Sequence, residues 1–314
     1  MNSSQRRLYD ARKYIGYFFD GRGFEPEPCP GTASPEAIQA AGQARGADRG
    51  PAIFIHGVMP RSGTVYVAEL LRRHPGLYAN PHQLWEFPGL LLAADIPRLQ
   101  DKFLLSYKPN VGKLQEGDFL TLFGAGMMAY LHQPAPAGTR LLVKLASVQY
   151  LNHFSVMFPH EQLLILMRDG RDLVHSTLRT WPGLNFVQVT LRWDRSARAA
   201  LKVAQALDGR AGPGHWLARF EDALADPAGF VRAACHHFGL DEGCYPFEEI
   251  DNIRVIGSSK LGQKAKFAWR HLKKPEEFRP TRYWEDWSSR RKLLFKFFAG
   301  QSLIDLGYCQ DLRW

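Results

Sequence analysis

The sequence has no C-x-x-C pair: its four cysteines, Cys29, Cys235, Cys244 and Cys309, are scattered over 314 residues. That spacing removes the thiolate metal knuckle and predicts reduced, mostly packed thiols. No apolar run approaches the ~20 residues of a membrane helix; the longest, such as Leu163–Met167, are of strand length. The stretch from Met1 to Tyr17 is too polar to supply an apolar secretory segment. The expectation is a soluble, cytoplasmic protein with no stable membrane span. Compositional extremes are missing too: 45% hydrophobic and 23% charged residues exclude wholesale disorder and low-complexity filaments. Acidic residues are the scarcer charge, 31 against 40 Lys+Arg, leaving +9 and a pI near 9.4. A basic balance favours anionic partners without choosing among nucleic acid, membrane surface and a phosphorylated ligand.

The organisation follows from composition shifts. Residues 1–50 read as an N-terminal helix and connector. Arg7 to Phe19 predicts a short amphipathic helix with Leu8, Tyr14, Ile15, Phe18 and Phe19 on its apolar side, docked on its own domain. Phe24 to Gly50, rich in Ala, Gly and Pro, reads as irregular. Residues 51–314 then form the main domain. Ala52–Ile55, Leu141–Lys144, Leu163–Arg168 and His215–Arg219 read as strands. Helical stretches follow or separate them at 64–73, 119–131, 147–158, 173–180, 188–207 and 227–238. Buried strands alternating with helices give an α/β fold, with a mainly parallel sheet covered by helices on both faces.

Two loops carry chemistry. His56 to Thr64 links a strand to a helix as a P-loop-like phosphate-binding strand–loop–helix. The opening N–H groups of that helix and its dipole favour an anion, Arg61 adds a positive charge, and Ser62 and Thr64 add hydroxyls. It is not GxxxxGK[ST], because the cation precedes Ser-Gly-Thr. The second loop, Arg168 to Asp172, leaves the third strand for a helix containing Ser176. Ligands of open α/β sheets gather beyond the carboxyl ends of strands, where a guanidinium and a hydroxyl can converge on phosphate. The same loop also fits a solvated turn with Asp172 as helix cap.

In this order and spacing the chain resembles the sulfotransferases that use 3′-phosphoadenosine 5′-phosphosulfate (PAPS). The likeness runs through PRSGT at 60–64, RRHPGLYANPHQLWEF at 72–87, RDGRDLVHS at 168–176, RFEDALADP at 219–227 and LIDLGY at 303–308. It implies that Arg61, Ser62, Gly63 and Thr64 hold the 5′-phosphosulfate, that Tyr66 stacks on adenine, and that Arg168 and Ser176 grip the 3′-phosphate. The product would be the bisphosphate PAP, and no metal is implied. The chain departs from the family in several places. Arg61 stands where many members have Lys, Val65 replaces a second threonine, Gly170 a usual proline, and Phe220 the tyrosine of a Tyr-Glu-Asp triplet. An Arg-Lys-Gly near the C-terminus is missing, and Ser258, Ser259 and Lys260 are the nearest candidates for its role.

Sulfuryl transfer needs a base for the acceptor hydroxyl. Where the phenol-sulfating branch has a histidine, this chain has Ala146. The carbohydrate-sulfating branch places a glutamate after the first helix, and the likeness to that bacterial-type pattern makes Glu86 the matching base, with His82 its local rival. Lys144, at a strand end, positions donor or acceptor. From Arg254 to Lys296 there are 13 basic and 4 acidic residues, with Trp269, Tyr283, Trp284 and Trp287 between them; this stretch is expected to close over the nucleotide. The acceptor is expected to be a small molecule, carbohydrate or lipid, not nucleic acid. Two other classes fit parts of the pattern: a P-loop kinase, and a non-enzymatic basic module binding RNA or another anion.

Overall fold

Three of the runs read as strands, Ala52–Ile55, Leu141–Lys144 and Leu163–Arg168, lie side by side because each is hydrophobic on both sides, and a sheet covered on both faces buries such segments. The computed structural model describes residues 31–46, 48–208, 214–253 and 281–314. Strands β1 (Ile53–Gly57), β2 (Leu77–Ala79), β3 (Arg140–Leu145), β4 (Gln162–Met167) and β5 (His215–Arg219) form one parallel sheet in the order β2-β3-β1-β4-β5. Ile55 lies opposite Lys144 on one side and Leu164 on the other, so β1 is central and its carboxyl end is flanked by those of β3 and β4.

Alternation along the strands divides the core in two. Phe54, Val143, Leu163 and Ile165 face one layer, packed with Trp193, Phe158 and Phe295. Ile53, Ile55, Leu142, Leu164 and Leu166 face the other, packed with Val67, Leu70, Phe220 and Phe230. The described helices of eight or more residues are α1 (Pro35–Ala44), α2 (Thr64–Leu71), α3 (Asp95–Leu105), α4 (Asp118–His132), α6 (Gly170–Thr180), α7 (Phe186–Leu207), α9 (Pro227–Phe238) and α10 (Ser289–Asp305); α5 (Phe154–Met157) and α8 (Phe220–Ala225) are shorter. Among the described residues no helix is long and apolar enough to cross a membrane.

Two sequence expectations need correction. The stretch read as an irregular connector contains α1, capped by the Ser34 hydroxyl with Pro35 opening the helix. It packs on α4 and is tied down by the Ser34 N–H to Asp118 (2.8 Å) and by a buried Arg45–Glu161 ion pair (2.5 Å). The helix expected over 147–158 is instead a loop, a single 3-10 turn and the four residues of α5. Tyr150, at φ 57°, takes the left-handed conformation that ends regular winding. The helix expected at Arg7 to Phe19 lies outside the described residues.

Candidate functional site

The loop after β1 is shaped from within. Arg61 and Gly63 both adopt positive φ, 82° and 92°. A side chain at Gly63 would also overlap the ring of Phe220, so glycine is required twice over. The Ser62 hydroxyl, expected to face an anion, donates to the Met59 carbonyl (2.6 Å) and accepts the Met59 N–H (3.2 Å). In this conformation its work is to close the loop. Thr64 is buried at the head of α2, and Gly63 brings that helix no side-chain cap. The opening N–H groups of α2 thus receive no side-chain acceptor from the cap position, an arrangement that favours an anion at a helix start.

The second loop comes to meet the first. Arg168, following β4, donates from Nη1 to the Arg61 carbonyl (2.6 Å), although 107 residues separate them. Arg61 Nε donates to the Ser176 hydroxyl on α6 (3.1 Å). The residues assigned to the two ends of a bisphosphate are thus already in contact. Burial, and secondly the like charge of Arg168, lower Arg61 to about 9, still protonated at neutral pH. Bringing two guanidinium groups together costs Coulomb energy that a bound anion would offset. The Arg168 guanidinium lies over the Phe220 ring (4.8 Å). Tyr66 meets the same ring edge-on (6.1 Å, 86°).

Around these cations stands a buried acidic layer whose role sequence reasoning missed. The cap of α6 is Asp169, not Asp172: its carboxylate accepts the Arg171 N–H (2.9 Å) and pairs with the Arg171 guanidinium (2.6 Å). Arg171 is also held against Trp284 (4.0 Å) and Trp314 (4.6 Å). Asp172 accepts the backbone N–H groups of Arg282 and Tyr283, both at 2.8 Å, fixing a segment 110 residues away. Glu221, from the RFEDALADP run, accepts the Asp169 N–H (3.0 Å). Burial raises Asp172 to about 6 and Glu221 to about 7. No local pattern announces these contacts; only the quoted run around Glu221 was a signal. Gly170, where the family often has proline, lies so close to Trp193 that a side chain there would overlap the indole.

A second cluster occupies the end of β3. Lys144 is buried, donates from Nζ to the Trp85 carbonyl (2.6 Å) and lies over the Trp85 ring (4.3 Å). Its own carbonyl accepts the Phe87 N–H (2.9 Å), so the segment carrying Glu86 is stitched across the strand end. Burial lowers Lys144 to about 8, opposed by the charges of Glu86 and Glu69. Glu86 itself is half-buried. Of its apolar neighbours in sequence, Phe87 is in the core, whereas Leu84 and Trp85 are exposed. His82 turns away: it takes φ 51°, stacks on Tyr130 of α4 (4.2 Å) and shares a hydrogen bond with the Tyr130 carbonyl (2.8 Å). His56 at the end of β1 is buried, bonded to the Ser147 carbonyl (2.8 Å) and lowered to about 4 by that burial, hence neutral.

Ser258, Ser259, Lys260 and Trp269 lie outside the described residues. In the described part of the basic stretch Trp287 is buried against Phe186 and Phe295, and half-buried Trp284 packs edge-on against Trp314. They form core around which the charges are arranged.

Two cationic loops thus meet at the carboxyl ends of parallel strands, beside a helix without a side-chain cap, in an α/β protein. Residues 51–243 match the family model described as "Sulfotransferase family", and the chain belongs to that family. It is a sulfotransferase, an enzyme of sulfuryl transfer. Among solved structures it is similar to the sulfotransferase domain of the Synechococcus PCC 7002 olefin synthase (18% identity, 81% of this chain and 94% of that one, TM-score 0.48). It is also similar to mouse sulfotransferase SULT7A1 complexed with PAP (12%, 88% and 92%, 0.45) and to sulfotransferase STF9 from Mycobacterium avium (14%, 76% and 83%, 0.42). A search of curated proteins returns no match.

Proposed function

We propose that the protein transfers the sulfuryl group of PAPS to a hydroxyl, or an amine, of a small-molecule, carbohydrate or lipid acceptor. The observation that carries this reading is the contact of Arg61 with both Ser176 and Arg168, which joins a 5′-side and a 3′-side anion site into one cradle. The donor supplies an electrophilic sulfur and a bisphosphate leaving group. The α2 N-terminus and Arg61 would hold the phosphosulfate end, and Arg61 would face the bridging oxygen as negative charge grows there. Arg168 and Ser176 would bind the 3′-phosphate, and Tyr66 the adenine.

On the acceptor side, Glu86 takes the proton and Lys144 keeps its segment in register. Glu86 is favoured over His82 because Lys144 staples its segment across the end of β3, whereas the histidine ring stacks on Tyr130 of α4. This follows the carbohydrate-sulfating branch in its choice of base, and the cytoplasmic location expected from the sequence is kept. Calorimetry with PAP in EDTA tests the donor assignment: metal-independent binding with little response to ATP is expected, and the reverse preference would sink it in favour of a kinase. Glu86→Gln should lower turnover by about 10²-fold with PAP affinity intact. Loss of turnover in His82→Ala with Glu86→Gln unaffected would move the base to the histidine.

A further inference from the structure

Helix α10 is apolar on two opposite sides, and folding explains only one of them. Its inner side buries Phe295, Ala299 and Leu303, with Phe295 against Trp193 (5.8 Å) and Trp287 (5.6 Å) and the Ser302 hydroxyl bonded to Asp194 (2.6 Å). Its outer side carries Leu293 and Phe297, 68% and 81% exposed. Arg290, Leu293 and Phe297 are spaced i, i+3, i+7 and therefore share that side.

The charges are equally one-sided. Arg290, Arg291, Lys292 and Lys296 occupy the N-terminal half of α10, the end where the helix dipole disfavours cations, and no acidic residue precedes Asp305 within the helix. Among the described residues no carboxylate forms an ion pair with any of the four, and nearby Glu285 is taken by Arg282 (2.5 Å). Three of them instead lie over aromatic rings: Arg291 over Phe186, Lys292 over Trp284 and Lys296 over Trp314. These stacked cations keep their charge available.

A rigidly held helix that projects two large apolar side chains beside Arg290, with Lys296 at the flank and no acidic partner for either among the described residues, has the chemistry of an interfacial membrane contact. We propose that the outer face of α10 docks on an anionic lipid surface, with Leu293 and Phe297 entering the headgroup–acyl boundary and Arg290, flanked by Lys296, meeting lipid phosphates. This is a peripheral contact, and it does not depend on which acceptor the enzyme uses.

Co-sedimentation of the full chain with phosphatidylcholine vesicles, with and without phosphatidylglycerol, tests it. Binding is expected only to the anionic vesicles and should fall as salt rises. The double variant Leu293→Gln/Phe297→Gln should lower the partition by about tenfold or more, and Arg290→Ala, on the same side of the helix, by about fivefold. Thermal midpoints and PAP affinity should stay at wild-type values, because these side chains point away from core and cradle. A wild-type chain left in the supernatant with both vesicle types overturns the proposal. So does undiminished vesicle binding by the Leu293/Phe297 variant, which would put the lipid contact elsewhere on the chain. A variant that merely turns a dimer into a monomer, with vesicle partition unchanged, would make the face a contact between copies of this chain.

Discussion

Gly63→Ala perturbs a position where backbone and packing demands coincide. The residue sits at φ 92°, where a non-glycine residue costs about 1–2 kcal/mol. The added methyl would also overlap the Phe220 ring, and forcing a well-packed ring aside costs about 1–3 kcal/mol. The expected destabilisation is therefore about 2–5 kcal/mol. With an unfolding entropy of ~2.1 cal/mol/K per residue, 314 residues convert this into a midpoint lowered by roughly 3–8 °C. The displacement should reach the anion site as well, because Phe220 also supports Arg168 and meets Tyr66. Differential scanning calorimetry and titration with PAP measure the two effects. Gly126→Ala is the internal control: it lies inside α4 with open space around it and should be neutral or stabilising by up to about 1 kcal/mol. If Gly63→Ala unfolds at the wild-type temperature and binds PAP as the wild type does, the account of this loop is wrong.

Arg168→Ala should weaken PAP binding by about 1.5–3 kcal/mol, and Ser176→Ala by less, with smaller losses for the analogue lacking the 3′-phosphate. Equal losses for both nucleotides would mean that these residues only hold the loops together. Because burial raises Glu221 to about 7, the folded protein keeps this proton at pH values where the unfolded chain has released it. The resulting contribution to stability is complete below the ordinary carboxylate range and is lost as pH climbs to about 7. Glu221→Gln, which keeps an acceptor for the Asp169 N–H, should be more stable than wild type by about 1–3 kcal/mol near pH 8, with the gap closing under acid conditions. Parallel curves of midpoint against pH would refute it.

The parts of this molecule that were legible in sequence are those whose cause is local. β1, β3 and β4 are mostly apolar runs because both their faces are covered, and α9 opens with Asp226 capping and Pro227 in its first turn. β2, three residues at the sheet edge, is too short to leave a pattern. Helix α1 carries an ordinary start signal at Ser34-Pro35, but its buried residues are only Ala37 and Ala41, so no stripe of large apolar side chains marks it. The candidate site divides the same way. The strand–loop–helix at Arg61 to Thr64 is contiguous and could be read. The clasp of Asp172 on Arg282 and Tyr283, and the placing of Glu221 on Asp169, join segments distant in the chain, and no spacing encodes them. The inward turn of the Ser62 hydroxyl was invisible because a serine in such a loop serves an anion or the loop itself with the same atoms.

Lys144 grips the Glu86 segment twice, from its ammonium to the Trp85 carbonyl and from its carbonyl to the Phe87 N–H. Only the first of these grips depends on the side chain. A change at Lys144 is therefore never a pure change of charge: Lys144→Met leaves the main-chain staple but releases Trp85, and Glu86 is hinged between the two. Any turnover lost in that variant mixes missing positive charge with a carboxylate that has begun to wander. The two are separable by pH, since only a missing ammonium removes the titration that burial places near 8. The lysine and the glutamate behave as one mechanical part with two chemical ends.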